Sequence, residues 1–174
     1  MKNIIFTGRF QPLHMGHLKF MHAIKQKYPD DLLIICLIRN TVVEVKPQET
    51  NSFNSVSILK QKAINNPIPN WERYMLLKLA VESDEVLRKN NVIMFRDRSD
   101  TDWEKSTIDL PKDRLFVLPS DLNDEFDKEK YNYYKLKGEP LDIIANERSQ
   151  ISSTDIREAL RDGKTDLSFI PEAC

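Results

Sequence analysis

The chain has 174 residues, 40% of them hydrophobic and 30% charged, with a formal net charge of −1. That length and apolar share suit one domain with a substantial core, residues 1–174, and the lack of a basic excess argues against holding nucleic acid through its phosphates. Apolar runs such as Leu32 to Ile38 are far too short to span a bilayer and the amino terminus opens on a strand, so a cytoplasmic protein with small-molecule partners and no membrane partner is expected. Cys36 falls within an apolar run and Cys174 ends the chain, an arrangement with neither a disulfide framework nor metal-ligand spacing.

In chain order, apolar runs of strand type alternate with helix-period segments, which predicts an α/β fold with a parallel sheet wrapped by helices on both faces. Asn3 to Thr7 reads as a strand. A helix from Gly16 to about Tyr28 carries Phe20, Met21, Ile24 and Tyr28 at helical spacing, and Pro29-Asp30-Asp31 ends it. Leu32 to Ile38 is a second, fully buried strand. Residues 39–66 are rich in Asn, Ser, Gln and Lys and read as a loop insertion over one sheet edge, with only Val56 to Ile64 suggesting a short helix.

Asn70 is the expected N-cap of a helix whose apolar face holds Met75, Leu76, Leu79 and Ala80, with Trp71 beside it as a packing residue. Val92 to Phe95 and Leu115 to Leu118 are predicted strands, separated by a charged, irregular stretch from Arg96 to Asp113. Ser120 to Gly138, rich in Lys, Asp and Tyr, is either a helix or a flap that closes over the site. Leu141 to Ile144 is a last short strand, and a helix from about Ser153 to Asp162, apolar at Ile156, Ala159 and Leu160, stops at Gly163.

Two stretches carry chemistry. Gly8 to His17 holds two of the four glycines and two of the three histidines. It joins a strand to a helix, where backbone amides and the helix dipole favour phosphate; Gly8 permits a bare turn and Gly16 a close approach of ligand to backbone. His14 and His17 have no obvious third ligand for zinc, so they are read as donors of hydrogen bonds or positive charge to a reacting phosphoryl group. His22, sharing a helix face with Lys19 and Gln26, is expected to be solvated. At the far end of the chain, Ser152, Ser153 and Thr154 open a helix and form an anion cradle, with Arg157 on the same face leaning back toward it.

The His14-Met15-Gly16-His17 and Ile151-Ser152-Ser153-Thr154-Asp155-Ile156-Arg157 motifs together resemble the two signatures of the nucleotidylyltransferase superfamily. Gly8-Arg9-Phe10-Gln11-Pro12 is most similar to the archaeal-type nicotinamide mononucleotide adenylyltransferases, as are Asn66-Pro67 with Glu72-Arg73 and the ending Phe169-Ile170-Pro171. The resemblance implies a Rossmann-like sheet with the triphosphate of ATP between the two motifs. His14, His17 and Arg157 would be catalytic, with Arg9 and Arg157 neutralising the triphosphate. Gly8, Arg9, Phe10, Gln11, Gly16, Ser152, Ser153 and Thr154 would bind nucleotide. Magnesium would be held mainly by phosphate oxygens and water, with no dedicated metal ligands in the protein.

The implied reaction moves AMP from ATP to a phosphorylated acceptor, with nicotinamide mononucleotide the first choice, and releases pyrophosphate; Trp103 would stack on the acceptor ring. The Asp97 to Glu104 charge run reads as a solvated loop, with Arg96 and Arg98 able to meet an acceptor phosphate as the alternative. Transfer from ATP or CTP to another phosphorylated metabolite stays open, because the 39–66 segment and Pro119 to Asp124 depart from the family pattern. A non-catalytic nucleotide sensor and a zinc-binding module are the alternatives from other classes. Family members commonly assemble, so a homo-oligomer is also implied.

Overall fold

The computed structural model describes residues 1–39, 65–97, 103–120, 125–145, 152–163, 168 and 170–172. Among these residues five strands form one parallel sheet: β1 (Asn3–Gly8), β2 (Leu32–Ile38), β3 (Asn91–Arg96), β4 (Arg114–Pro119) and β5 (Leu141–Ile144). Their order across the sheet is β3-β2-β1-β4-β5. The helices are α1 (Met15–Lys27), α2 (Asn70–Ser83), α3 (Trp103–Thr107), α4 (Glu125–Leu136) and α5 (Ser153–Arg161). This is the Rossmann-like arrangement expected.

The pleat of β1 shows why the sheet is covered twice. Ile4 and Phe6 face one core with Leu33, Ile35 and Leu37 of β2, against Leu18, Met21 and Ile24 of α1 and Leu77, Ala80 and Val81 of α2. Ile5 and its neighbours Ile34, Cys36 and Phe116 face a second core, filled from the other side by Leu110, Tyr134 of α4 and the ring of Trp103. A strand buried on both faces is an unbroken apolar run, which is why Leu32 to Ile38 does not alternate. The chain leaves the central β1 toward β2 in one direction and meets β4 on the other, so the order reverses beside β1. A crevice opens at such a switch point, beyond the carboxyl ends of β1 and β4.

Several local expectations need correction. Asn70 is the first helical residue of α2, not its cap: Pro69 holds that position without a side-chain bond, and Asn70 Oδ1 instead accepts from the Arg73 guanidinium. The buried face of α2 is Arg73, Leu77, Ala80 and Val81, one step round from the face expected, and it leaves Met75 and Leu79 nearly half exposed and Trp71 66% exposed. The charged stretch after β3 contains the short helix α3, and most of 120–138 is helix α4 with Tyr134 at its core face. Most of the 39–66 insertion, with its suggested short helix, lies outside the described residues, as do Arg98, Ile151, Phe169 and Cys174. Gly163, at φ +71, ends α5 as expected, in the left-handed conformation that glycine adopts without strain.

Candidate active site

The turn from β1 into α1 is built from its own side chains. Phe10 sits at φ 51, uncommon for a residue with a side chain, and its ring folds back beneath Gly8. A Cβ on Gly8 would come within 2.7 Å of that ring, so the bare backbone at Gly8 makes room for Phe10 and not for a ligand. The ring is 2% exposed and meets Phe6 and His17 edge-on. A nucleotide can therefore meet the backbone of Phe10, whereas its side chain belongs to the core.

Gln11 is likewise buried, at 1% exposure. Its amide clasps the backbone of Ile68, donating to the carbonyl at 2.8 Å and accepting from the N–H at 3.1 Å. Arg9 is half-buried and its Nη1 reaches Asn66 Oδ1 at 3.4 Å, so the residues around Asn66-Pro67 brace the loop from the α2 side.

His14 caps α1. Its Nδ1 accepts the Gly16 N–H at 3.1 Å, and the Nδ1 of His17 accepts the His14 N–H at 3.2 Å, a reciprocal capping box made of two imidazoles. The Gly16 amide expected to meet ligand is thus engaged by His14. The two rings lie 3.7 Å apart between centroids. Burial pushes His14 down to about 4 against the partial opposition of Asp155, and burial together with His14 holds His17 well below 6.5. Both rings are neutral near neutral pH. Because each Nδ1 is an acceptor, each proton sits on Nε2, so each ring is a neutral donor without positive charge. The rings keep a free capacity to donate through Nε2, whereas the positive charge expected of them gives way.

The opening helix of one motif meets the other. Ser152 caps α5: its N–H and Oγ donate to Asp155 Oδ2 at 2.8 Å each, and its Oγ accepts the Asp155 N–H at 3.3 Å. Ser153 Oγ donates to the Pro12 carbonyl at 3.1 Å, which docks α5 onto the turn from the other end of the chain. Arg157 differs from the expectation of a triphosphate partner. It is 6% exposed, its Nη1 donates to the Gln11 carbonyl at 2.6 Å, and its Nη2 donates to Thr154 Oγ1 at 3.1 Å. Its charge acts on the loop, where the mostly desolvated guanidinium donates to a backbone carbonyl and a hydroxyl.

On the other sheet face, Trp103 does not project toward an acceptor. Its ring packs against Phe116, Tyr133 and Tyr134, with the Arg96 guanidinium 5.4 Å from its centroid. Arg96, expected at an acceptor phosphate, is 3% exposed and donates to the Ser106 carbonyl at 2.9 Å and to Tyr134 Oη at 3.3 Å. The Tyr134 hydroxyl lies 3.5 Å from Thr7 Oγ1, and Lys130 Nζ donates to the Thr7 carbonyl at 3.4 Å. Burial pushes the phenol up, but Lys130 and Arg96 more than offset that. Nothing in the Lys/Tyr pattern of α4 singles out Lys130 or Tyr134, since their role depends on α4 docking beside the end of β1. His22 is also not simply solvated: its Nε2 lies 2.7 Å from Asp84 Oδ2.

An α/β fold whose central strand runs into a histidine-capped helix, with a second helix amino terminus clamped onto the same turn, has a geometry that suits phosphate. The profile of the cytidylyltransferase-like family matches residues 5–56. A probable nicotinate-nucleotide adenylyltransferase of Clostridium botulinum is 24% identical, across 97% of this chain and 90% of its own. Another, from Thermoanaerobacter sp., is 26% identical across 97% and 87%. A bifunctional NMN adenylyltransferase/ADP ribose pyrophosphatase of Francisella tularensis, solved with AMP and a manganese ion, superposes with a TM-score of 0.61 at 16% identity, over 99% of this chain. That likeness is one of fold, and this chain spans 45% of the larger protein's length. The chain is similar to the nucleotidylyltransferases, and these likenesses support a nucleotidyl-transferring activity.

Among the described residues no group of three or more His, Cys, Asp or Glu is placed to hold a metal ion, and no helix is long and apolar enough to cross a membrane.

Proposed function

We propose that the enzyme transfers AMP from ATP to a pyridine mononucleotide and releases pyrophosphate. The observation that carries the chemistry is the pair of neutral imidazoles whose Nδ1 atoms are both taken by backbone N–H groups at the start of α1. The tautomers are set before substrate arrives, so two Nε2–H donors are preorganised for the charge that grows on the α-phosphoryl oxygens. The acceptor's phosphate oxygen attacks the α-phosphorus in line, the bond to the bridging oxygen breaks, and that oxygen leaves with pyrophosphate. No covalent enzyme intermediate and no protein general base are required, because the attacking phosphate is already an anion.

The first amides of α5, ahead of the Asp155 amide that Ser152 caps, provide further donors, with Ser153 and Arg157 holding that helix start on the turn. The histidine and backbone donor set suits phosphate oxygens more than a bare cation, so magnesium would enter on the triphosphate and supply charge neutralisation there. Support for a pyridine mononucleotide acceptor is the naming of the Clostridium and Thermoanaerobacter relatives; the family match favours CTP as the competing donor.

The test is pyrophosphate release with ATP or CTP, magnesium, and nicotinate mononucleotide, nicotinamide mononucleotide or other phosphorylated acceptors, with the dinucleotide product identified by mass. Release with ATP and either pyridine mononucleotide is the expected result. Release only with CTP, or only with a different acceptor, overturns the substrate assignment while leaving nucleotidyl transfer intact.

A further inference from the structure

Arg73 enters the sequence only as a motif letter, yet among the described residues it is the largest fully buried side chain, 1% exposed. Its Nη1 donates to the carbonyl of Arg9 and, at 3.1 Å, to that of Ile38; its Nη2 donates to Asn70 Oδ1. Its Nε has no partner, and no carboxylate pairs with it among the described residues. Burial, with Arg9 nearby, lowers its pKa to about 10.

A buried charge met only by neutral acceptors is a poor device for stability, since an apolar side chain of similar volume often does as well or better. What Arg73 holds is more informative. Arg9 follows the last residue of β1 and Ile38 is the last of β2, both at the carboxyl ends of the strands, where sheets of this kind bind ligands. In a trans peptide the N–H points opposite to the carbonyl, so an Arg9 carbonyl held toward α2 sends the Phe10 N–H away from α2. Flipping that peptide would let Phe10 relax from φ 51 into the ordinary region, which residues with a side chain prefer.

We propose that Arg73 is a positioning residue: by holding the Arg9 carbonyl it locks the Arg9–Phe10 peptide in the orientation that presents the loop's backbone donors to the nucleotide phosphates. The inference rests on the reading of this turn as the phosphate site. Releasing the lock makes the binding-competent peptide a minority state, and apparent affinity falls in proportion to its population. With the left-handed preference as the only force, that is about tenfold.

Arg73→Met keeps volume without the donors, and Arg73→Lys keeps charge without the fork. Each is compared with the parent by calorimetric titration of ATP, steady-state kinetics and melting. The expected result is ATP affinity weakened about tenfold and the KM for ATP raised, with the acceptor KM unchanged. A merely structural role would instead lower the melting temperature and leave the affinity of the folded fraction unaltered. Asn70→Ala removes one acceptor of the guanidinium without emptying the core, and should weaken ATP binding in the same direction by a smaller factor. If Arg73→Met does not fold, Asn70→Ala decides. ATP affinity within twofold of the parent in the folded variants overturns the proposal. If the parent itself binds no nucleotide, the functional reading falls and takes this one with it, whereas parent binding that survives unchanged in the variants sinks Arg73's role alone.

Discussion

Acidification tests the tautomers on which the chemistry depends. Folded His14 titrates at about 4 where an unperturbed imidazole titrates at 6.5, because burial disfavours the charged ring and Asp155 offsets only part of that. Between those two values the unfolded chain binds a proton at this ring and the folded chain does not. The stability contributed by the neutral ring is therefore fully present above 6.5 and is lost as pH falls toward 4, levelling off below. The depression corresponds to about 3 kcal/mol across that window. With the ring 8% exposed, little of this is lost to solvent screening. His14→Asn keeps a side-chain acceptor at the N-cap while removing the titrating ring. Denaturant unfolding of parent and variant across the window should show the parent losing about 3 kcal/mol relative to the variant. Nuclear magnetic resonance of the ring protons should find His14 titrating near the lower value. A stability gap that does not move with pH, or a His14 ring titrating near 6.5, would refute both the buried tautomer and the neutral-donor role built on it.

The same tautomers predict that His17→Ala lowers turnover by on the order of 10² while nucleotide affinity changes little, because a preorganised donor is lost at the developing charge; normal turnover in that variant ends the assignment. Gly8→Ala drives a Cβ into the Phe10 ring, which cannot yield without leaving its pocket. It should cost roughly 2 kcal/mol in denaturant unfolding and weaken ATP binding together, so loss of one without the other would mean that the ring and the turn are not coupled. Arg114, paired with Glu139 at 2.9 Å at the opposite end of β4, has only 14% of its side chain exposed against 9% for its partner. Arg114→Ala should therefore cost roughly 2–4 kcal/mol of stability with kcat/KM unchanged, and a kinetic defect of the folded variant would show that the far edge of the sheet reaches the site.

Much of this architecture is legible in the chain because it follows from local chemistry. An apolar run buried on two faces declares itself without neighbours, as Leu32 to Ile38 does, and a glycine placed after a periodic segment marks where α5 must stop. The pairing of a strand-turn-helix histidine motif with a capped helix near the other end of the chain is likewise visible in residue types and spacing. Where the reading slipped, a long-range contact outweighed a local signal. Asn70 has the chemistry of a cap and serves as a guanidinium acceptor instead, because α2 delivers Arg73 to the same place. Trp103 and Arg96 lie in a charged stretch that reads as surface, and they become a buried cation among rings once α4 closes over them.

The sequence by itself determined the class of chemistry: short-reach donors and a capped helix start suit phosphate whatever surrounds them. Only the tertiary structure decided which atoms face a ligand and which hold the frame. Arg157, Gln11 and Phe10 look like binding groups in one dimension and support the loop in three, because a buried carbonyl or a space beneath a glycine engages them within the fold. The protonation of His14 and His17 was settled the same way, since desolvation depends on how deeply a ring is enclosed, and the number of atoms packed around it is a property of the fold.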